Sequence, residues 1–370
     1  MTDAFTWTAF SSRVVFAAGA VRRIPDEVAR LEKQRALLIG SGASTSKALD
    51  RLREALGGRF AGEVRHAAQH GPSAIADDAI RAARDCAADV VVTVGGGSAT
   101  GLGKAVAQAC DLPLIAVPTT YSGSEMTPIW GRTSEGRKQT WSDARVLPRT
   151  VVYDPELCVG MPPRLAAASG MNALAHCLEA LWSAGANPIT SALAREGGRH
   201  LTDGLPRVVE DPNDLAAHAG NLVGACLAGV ALAQAGTGIH HRTCHVLGGG
   251  WNLPHAETHA VVLPHSTALV GASAPDAIAE AGRLLGDDDP PVAVFALLQR
   301  LDLPVSLSAL GMPEDALDEA ARRVIEASRD DPLVPDESAV RRMLDDAFAG
   351  RAPKPRTATE SAPARELMRG

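Results

Sequence analysis

The sequence predicts a parallel α/β domain followed by an all-α domain. Up to about residue 153, short runs rich in Val and Ile alternate with helical patterns, which is typical of a parallel sheet whose strands are joined by helices. From about residue 163 the segments are rich in Ala and Leu with helical spacing, and strand candidates disappear. We therefore expect one domain of each kind, over residues 1–158 and 159–350.

The strands of the first domain are predicted from apolar runs that end at Gly or Pro. Residues 35–39 stop at Gly40-Ser-Gly42, and residues 89–94 form the clearest buried strand, which runs straight into Gly95. Further strands are predicted at 63–65, 114–117 and 150–153, and helices at about 45–56 and 73–88. Residues 351–370 are rich in Pro, Arg, Glu and Ala without apolar periodicity, so we expect a disordered tail there.

Composition and charge argue against several classes of function. Hydrophobic residues make up 46% of the 370 residues and charged residues 21%, as in ordinary globular proteins. The net charge of −7 argues against a broad basic surface for nucleic acid or an anionic membrane. We find no apolar stretch as long as a membrane-spanning helix and no secretion signal at the N-terminus. The six cysteines are scattered without a C-x-x-C pair, so we expect free thiols in a cytoplasmic protein.

A glycine turn follows the clearest strand. Gly95-Gly-Gly-Ser98 stands between a predicted buried strand and a predicted helix, where backbone N–H groups and the helix dipole favour a phosphate. It is not a Walker loop, because Ser98 replaces the first glycine and Ala105 the Ser or Thr that should follow Lys104. Gly40-Ser-Gly42 does not complete a dinucleotide fingerprint either, since Thr45 occupies the last glycine position. A phosphate site and a plain strand-to-helix turn are both compatible with this pattern.

A loop rich in hydroxyl groups follows the next strand. The segment 118–125 reads Pro-Thr-Thr-Tyr-Ser-Gly-Ser-Glu and lies at the carboxyl end of a strand, where open α/β sheets bind their ligands. Its hydroxyl groups suit the pyrophosphate or ribose of a cofactor. Taken alone, the loop fits an ordinary Ser- and Thr-rich turn equally well.

Histidines are concentrated in the second domain. Asn172 and His176 are four residues apart on a predicted helix and so share a face. Six more histidines lie within residues 238–245 and 255–265. A single buried histidine is usually structural, but this density places several groups that titrate near neutral pH on one segment. Neutral imidazoles are also common metal ligands, so a metal site has to be weighed separately.

Together these motifs resemble the iron-containing alcohol dehydrogenase and dehydroquinate synthase-like superfamily. The resemblance rests on Gly95-Gly-Gly-Ser98, Pro118-Thr-Thr120, Ser122-Gly-Ser-Glu125 and the His-x-Leu-Gly-Gly…Pro-His run from His245 to His255, and it spans roughly residues 13–350. It implies an N-terminal Rossmann-like domain, an all-helical C-terminal domain and an active site in the cleft between them.

The metal ligands of that superfamily are one Asp and three His. The resemblance places them at Asn172, His176, His245 and His255, so a neutral amide stands where the only anionic ligand is expected. Three imidazoles can hold zinc, but without a carboxylate the charge of a dication is not compensated. We therefore expect no catalytic metal.

The departures from the superfamily pattern resemble its maleylacetate reductase branch. The segments 122–130, 145–148, 238–241, 244–249 and 253–264 carry this second resemblance, together with Gly101 in place of a frequent Asp. It implies that NADH or NADPH reduces the carbon–carbon double bond of the enone maleylacetate, an anionic dicarboxylate, giving 3-oxoadipate. A developing enolate can be stabilised by hydrogen-bond donors without a metal.

The resemblance also implies roles for individual residues. His245 and His255 are candidates to stabilise the enolate or supply its proton, and Asn172 with His176 to hold the substrate. For the substrate carboxylates the candidates are Arg242, Arg132 and His241, although both arginines also fit ordinary surface charges. The candidate cofactor-binding residues, which include a lysine on a hairpin, are Gly40, Ser41, Gly96, Gly97, Ser98, Thr119, Thr120, Ser122 and Lys138. Because Gly40-Ser-Gly42 lacks the Asp that many relatives offer to the ribose, NADPH should be tolerated beside NADH.

Three other functions stay open at this point. They are a metal-dependent alcohol or glycerol dehydrogenase, a dehydroquinate synthase-like lyase, and a nucleotide-binding module without catalysis. The histidine cluster argues against the last of these. The family habit suggests a homodimer.

Overall fold

The computed structural model describes residues 5–67, 73–134, 137–331, 333 and 335–354. Its N-terminal part is a six-stranded sheet in the order β1-β8-β5-β4-β2-β3, and every described pair in it is parallel. The strands are β1 Arg13–Phe16, β2 Ala36–Gly40, β3 Phe60–Val64, β4 Val90–Gly95, β5 Leu114–Pro118 and β8 Thr150–Tyr153. Strands β6 Ile129–Ser134 and β7 Arg137–Ser142 form a separate antiparallel hairpin.

Helices cover both faces of the sheet. Along β4, Val90, Val92 and Val94 pack into the core on one face and Val91 packs into the core on the other. This double burial explains why the central strands read as continuous apolar runs. The helices of this part are α1 Ile24–Arg30, α2 Ala43–Leu56, α3 Ser73–Asp85 and α4 Gly97–Cys110.

The C-terminal part is helical, and the described residues after Tyr153 contain no strand. Its helices are α5 Pro163–Glu179, α6 Pro188–Glu210, α7 Leu215–Ala235, α8 Ile239–Trp251, α9 His255–Gly271, α10 Pro275–Leu285, α11 Pro290–Arg300, α12 Leu317–Ala327 and α13 Glu337–Ala349. The predicted fold class, a parallel α/β part followed by a helical part, is therefore confirmed. The predicted tail at 351–370 lies almost entirely outside the described residues, which end at Lys354.

The expectation that no segment could cross a membrane needs a correction. Helix α7 is long and apolar enough to span one, with a mean hydropathy of 1.6 over its most apolar window. It nevertheless packs against α5 and α6, and its buried side chains include His218 and Asn221. These features are those of a core helix, which passes the same test of length and composition.

The sheet order places a switch point between β2 and β4. From β2 the chain moves outward to β3, and it then returns to β4 on the other side of β2. Ligands of open α/β sheets bind outside the carboxyl ends of the strands at such a point. The fold therefore brings two short segments to one crevice. They are Gly40 and Ser41 at the end of β2 and residues 95–97 at the end of β4.

Candidate active site

The glycine turn after β4 is shaped by its neighbours. Gly95 has a φ of 148°, and a Cβ atom on it would lie 2.6 Å from Ser41 Oγ. A Cβ atom on Gly96 would lie 2.8 Å from Thr120 Oγ1. Ser41, Thr120 and the turn are thus in close contact, and only glycine fits between the two hydroxyl-bearing side chains.

Helix α4 begins in this turn with open backbone donors. Its N-cap residue is Gly96, which offers no side-chain hydrogen bond to the first turn. The first N–H groups of a helix need partners, and its dipole favours an anion there. The loop after β5 closes on the same place, since Ser122 Oγ lies 3.7 Å from the Cβ position of Gly97. The residues therefore fit the pyrophosphate of a dinucleotide.

The predicted cofactor residues divide into two groups. The structure brings together Ser41, Gly96, Gly97, Thr120 and Ser122, with Ser98 in the first turn of α4 and Thr119 bonded through its N–H to Gly95 O at 3.1 Å. Gly40 has a structural role, because a Cβ atom there would lie 2.4 Å from Leu49 Cδ1. Lys138 lies on β7 and Arg132 on β6, as the predicted hairpin requires, but their side chains lie outside the described part of the structure.

The loop after β5 also contacts the helical part. Asn172 Nδ2 on α5 donates to Ser122 O at 3.5 Å, and Tyr121 N–H donates to Ser169 Oγ at 3.3 Å. A Cβ atom on Gly123 would lie 2.9 Å from Ala225 O and 3.2 Å from His176 Nδ1. One loop therefore touches both the glycine turn and the predicted catalytic helix.

Helices α5, α8 and α9 bring the predicted histidines into one cluster. The rings of His176 and His241 stack with centroids 5.0 Å apart, and those of His245 and His255 stack at 6.1 Å. His259 joins the two stacks, since its centroid lies 4.7 Å from that of His241 and 4.5 Å from that of His255. The sixth member is His240, whose Nε2 lies 2.9 Å from His259 Nδ1.

The six rings differ in accessibility. His176, His240, His241 and His259 are buried, whereas His245 and His255 are half-buried. Burial, with the neighbouring histidine charges, lowers the pKa of His176 and His259 well below the ordinary value and that of His240 to about 3. His176, His240 and His259 are therefore neutral at physiological pH. The half-buried pair is better placed to meet a ligand.

Glu179 accepts hydrogen bonds from two residues of the histidine cluster. Its Oε2 accepts a hydrogen bond from His241 Nδ1, and its Oε1 accepts from the backbone N–H of His240 at 2.9 Å and of His241 at 3.3 Å. Burial raises the pKa of Glu179, but His241, His240 and the Gly238 backbone together hold it below its ordinary value. This carboxylate also stands at the N-terminus of α8, where the helix dipole favours an anion.

Several buried polar atoms of the cluster have no hydrogen-bond partner among the described residues. They are Asn172 Oδ1, His176 Nδ1, His241 Nε2 and His259 Nε2. Such atoms are rare in folded proteins, and ordered water or a ligand's polar groups can complete their hydrogen bonds.

The donor set fits a resident metal ion poorly. Asn172 brings no charge, and both oxygens of Glu179 are already engaged by α8. Three imidazoles and an amide, none of which carries negative charge, leave the charge of a dication without compensation.

Arg242, a predicted carboxylate ligand, is half-buried on α8. Its Nη1 lies 3.7 Å from Asp331 Oδ2, and the carboxylate of Asp331 is nearly buried. The long contact leaves most of the five guanidinium donors available for a second anion. His241, also predicted to bind substrate, instead lies at the centre of the cluster with its Nδ1 on Glu179.

Residues that the sequence interpretation missed are Glu179, Glu125 and Lys104. Glu125 is fully buried and accepts from Tyr153 OH at 2.8 Å. Lys104 is buried on α4 beneath the loop. Each is a charged residue within an otherwise apolar or small-residue segment, and that contrast is the signal that could have identified them.

The chain is similar to known proteins over nearly its whole length. Residues 11–155 match the model of the family described as iron-containing alcohol dehydrogenase, and residues 166–348 match that of the C-terminal domain of the Fe-containing alcohol dehydrogenase family. A maleylacetate reductase of Burkholderia cepacia is 43% identical over 95% of this chain and 99% of its own length. Another, from Sphingobium indicum, is 41% identical over 94% of this chain and 99% of its own length. The crystal structure of maleylacetate reductase from Agrobacterium tumefaciens superposes with a TM-score of 0.88 at 40% identity, covering 95% of this chain and 100% of that one.

Proposed function

The chain belongs to the iron-containing alcohol dehydrogenase family, and from this premise we propose that it is a maleylacetate reductase that uses NADH or NADPH without a catalytic metal. Its curated relatives at 40–43% identity over nearly the full chain are maleylacetate reductases. The observation that carries the proposal for this chain is the neutral residue Asn172 beside a cluster of six histidines. The crevice between β2 and β4 supports a nicotinamide dinucleotide as the cofactor.

The proposed reaction adds a hydride and a proton across the double bond of the enone. A reduced nicotinamide held in the crevice between β2 and β4 would supply the hydride. The negative charge then passes to the ketone oxygen as an enolate, which hydrogen-bond donors stabilise. His245 and His255 are placed for this role because they are half-buried and stacked at the open side of the cluster. One of them donates to the enolate oxygen and the other supplies the proton to carbon.

The remaining residues of the site hold the substrate. Asn172 Oδ1 and His176 Nδ1 offer unpartnered polar atoms, and the guanidinium of Arg242 can take one carboxylate bidentately. Arg132 on the hairpin is proposed for the other carboxylate. Lys138 on the same hairpin is proposed as a cofactor ligand.

One assay separates this proposal from its rivals. Oxidation of NADH and of NADPH is followed by absorbance with maleylacetate, with and without EDTA, and the metal content of the purified protein is measured in parallel. We expect both cofactors to be oxidised at a rate that EDTA does not change. Loss of activity with EDTA would indicate a metal-dependent dehydrogenase, and absence of net oxidation would indicate a lyase or a non-catalytic binding protein.

The roles of the two half-buried histidines can be tested separately. His245→Ala and His255→Ala should each lower kcat by about a hundredfold or more, because proton transfer and enolate stabilisation are lost. His200→Ala on α6 is the control, since His200 instead pairs with Glu196 on the same helix. Unchanged turnover in either cluster variant would remove that residue from the mechanism.

We also propose that the protein works in the cytoplasm as a homodimer. The exposed Val14 and Phe16 on the edge strand β1 are compatible with association, because an unpaired strand edge invites pairing. Light scattering after size exclusion measures the mass, and a monomer at micromolar concentration would contradict the dimer.

A further inference from the structure

Lys104 is a buried lysine beneath the loop after β5. It is 1% exposed and lies on α4, two turns beyond the glycine turn at which that helix begins. Its Nζ donates to three carbonyl oxygens, those of Ser124 at 2.6 Å, Thr127 at 2.7 Å and Ile129 at 2.8 Å. Thr127 Oγ1 lies 3.1 Å away as a fourth acceptor.

This arrangement costs free energy that a purely apolar contact would not. Burial lowers the pKa of Lys104 to about 7, while the charge of Glu125 opposes that shift. Three converging carbonyl groups replace the hydration shell of the ammonium group, as they would for a metal cation. A helix that needed only packing at this position would be served by Leu or Met.

The carbonyl groups that Lys104 binds lie in the loop just after Ser122 and Gly123, the two residues that approach Asn172 and His176. Ser124 directly follows Gly123, whose Cβ position lies 3.2 Å from His176 Nδ1. Ser122 precedes Gly123 and contacts both the glycine turn at Gly97 and the amide of Asn172. Gly123 also packs closely against α7, since a Cβ atom on it would lie 2.9 Å from Ala225 O.

Glu125 fixes the same loop to the sheet. It is fully buried, accepts from Tyr153 OH on β8 at 2.8 Å, and lies 3.5 Å from Ser122 Oγ. Lys104 therefore ties the loop to the helix that carries the phosphate site, and Glu125 ties it to the central strands.

We propose that Lys104 is a positioning residue for the reduction. It holds Ser122 and Gly123 at a fixed distance both from the cofactor phosphates at the start of α4 and from Asn172 and His176. This inference rests on the proposed function, since the cofactor and the histidine cluster are the two groups whose spacing it sets.

The test compares Lys104→Met with Lys47→Met, an exposed lysine on α2. We expect Lys104→Met to raise the Kd for NADH, measured by NADH fluorescence, by about tenfold and to lower kcat by about a hundredfold, because a misplacement of about 1 Å has effects of this size. The KM for maleylacetate should change much less than kcat. The Lys47 variant should match the wild type in all three quantities.

Chemical rescue distinguishes positioning from a merely structural role. In Lys104→Ala the missing atoms correspond to n-propylammonium, which should restore NADH affinity and kcat, whereas n-propanol should not. Lys104→Met with wild-type Kd and kcat, or an alanine variant that folds but is not rescued, would overturn the proposal.

Two further outcomes are covered. If neither Lys104 variant folds, Thr127→Val is the substitute test, because it removes one of the four acceptors. It should lower kcat by about threefold, in proportion to one weakened hydrogen bond. An unchanged kcat would then overturn the proposal. If the wild type does not reduce maleylacetate, the proposed function fails, but the NADH affinities still decide the role of Lys104.

Discussion

At the residue scale, Asn172 is the residue on which the proposed absence of a metal depends. It lies on α5, four residues before His176, and its Oδ1 is buried without a partner among the described residues. A carboxylate in its place would add the missing negative charge next to imidazole nitrogens that are already unpartnered. We infer that one substitution, to a carboxylate at this position, would complete a set of metal ligands.

We predict that Asn172→Asp acquires a divalent metal. Purified after growth with added iron or zinc and then dialysed, it should retain about one ion per chain, as a complete carboxylate-plus-histidine set does. Reduction of maleylacetate should fall at least tenfold, because the new charge repels a dicarboxylate. Asn172→Ala is the control, since it removes the amide without adding charge. Metal-free Asn172→Asp protein would show that charge is not what the site lacks.

We predict that Ser41 affects the choice between NADH and NADPH. It follows β2 at the switch point, its N–H donates to Thr45 Oγ1 at 3.1 Å, and its hydroxyl lies against Gly95. No carboxylate follows β2 in the segment Gly40-Ser-Gly42, so nothing there repels a 2′-phosphate.

Ser41→Asp should therefore select against NADPH. We expect the ratio of kcat/KM for NADPH to that for NADH to fall by about tenfold or more, because like charges at hydrogen-bond distance cost at least 1.4 kcal/mol in a partly buried crevice. Ser41→Ala should leave the ratio near its wild-type value. An unchanged ratio in the Asp variant would place the 2′-phosphate elsewhere.

The sequence predicts the residues that recur in motifs and misses those that act singly. The glycine turn, the hydroxyl loop and the histidines could be identified because each is a dense local pattern. Lys104 and Glu179 are isolated charges whose partners are set by tertiary contacts. Lys104 binds loop carbonyl groups 20 or more residues away in the sequence. Glu179 binds the start of α8, where the backbone N–H of His240 is 61 residues away. No local pattern encodes such partners.

At the element scale, the central strands and the edge strand β3 were predicted from the sequence, whereas the other edge strand, β1, was not. Strands β2, β4 and β5 are buried throughout, so they stand out as apolar runs. The edge strand β1 has a single buried residue, Val15, and its pattern is too weak to be recognised. The helical part was predicted from spacing, but the convergence of α5, α8 and α9 on one point follows from packing.

That convergence makes the stability of the protein depend on pH. Neutral His176, His240 and His259 lie buried on the three helices, and their pKa values are lowered from an ordinary value of 6.5. Below pH 6.5, and for His240 down to about 3, the unfolded chain binds protons that the native state does not. Stability therefore falls as the pH falls, by about 1.4 kcal/mol per pH unit for each such histidine. Above pH 6.5 these groups contribute no slope.

We therefore expect the urea midpoint to be constant from pH 8 to 7 and to fall steeply from pH 6.5 to 5. His265, on α9 directly before Ser266, has its pKa lowered by burial to about 4 and adds to the slope. His265→Gln should reduce the slope by about one proton. A midpoint that stays constant down to pH 5 would mean that the histidines are protonated in the native state.

At the scale of the whole molecule, the loop after β5 couples the sheet to the helices. Tyr121 is fully buried in this loop and donates through its OH to His218 Nδ1 on α7. His218 Nε2 lies 2.8 Å from Pro212 O, a carbonyl that can only accept, so Nδ1 carries the lone pair that receives the tyrosine proton. The same loop carries Thr120 and Ser122 at the cofactor crevice. Cofactor binding at the sheet should therefore change the amide hydrogen exchange of α7.

Hydrogen exchange can measure this coupling. In the wild type we expect NADH to slow amide exchange in the first turns of α7, around His218, although that helix is not proposed to touch the cofactor. Tyr121→Phe should abolish most of this protection and cost about 1–2 kcal/mol of stability, because a buried acceptor loses its donor. The matched control is Tyr153→Phe, the other tyrosine of the chain, whose OH instead binds Glu125 within the sheet part. Protection of α7 that survives in Tyr121→Phe but is lost in Tyr153→Phe would mean that the signal travels through Glu125 and the sheet, not through the tyrosine–histidine bond.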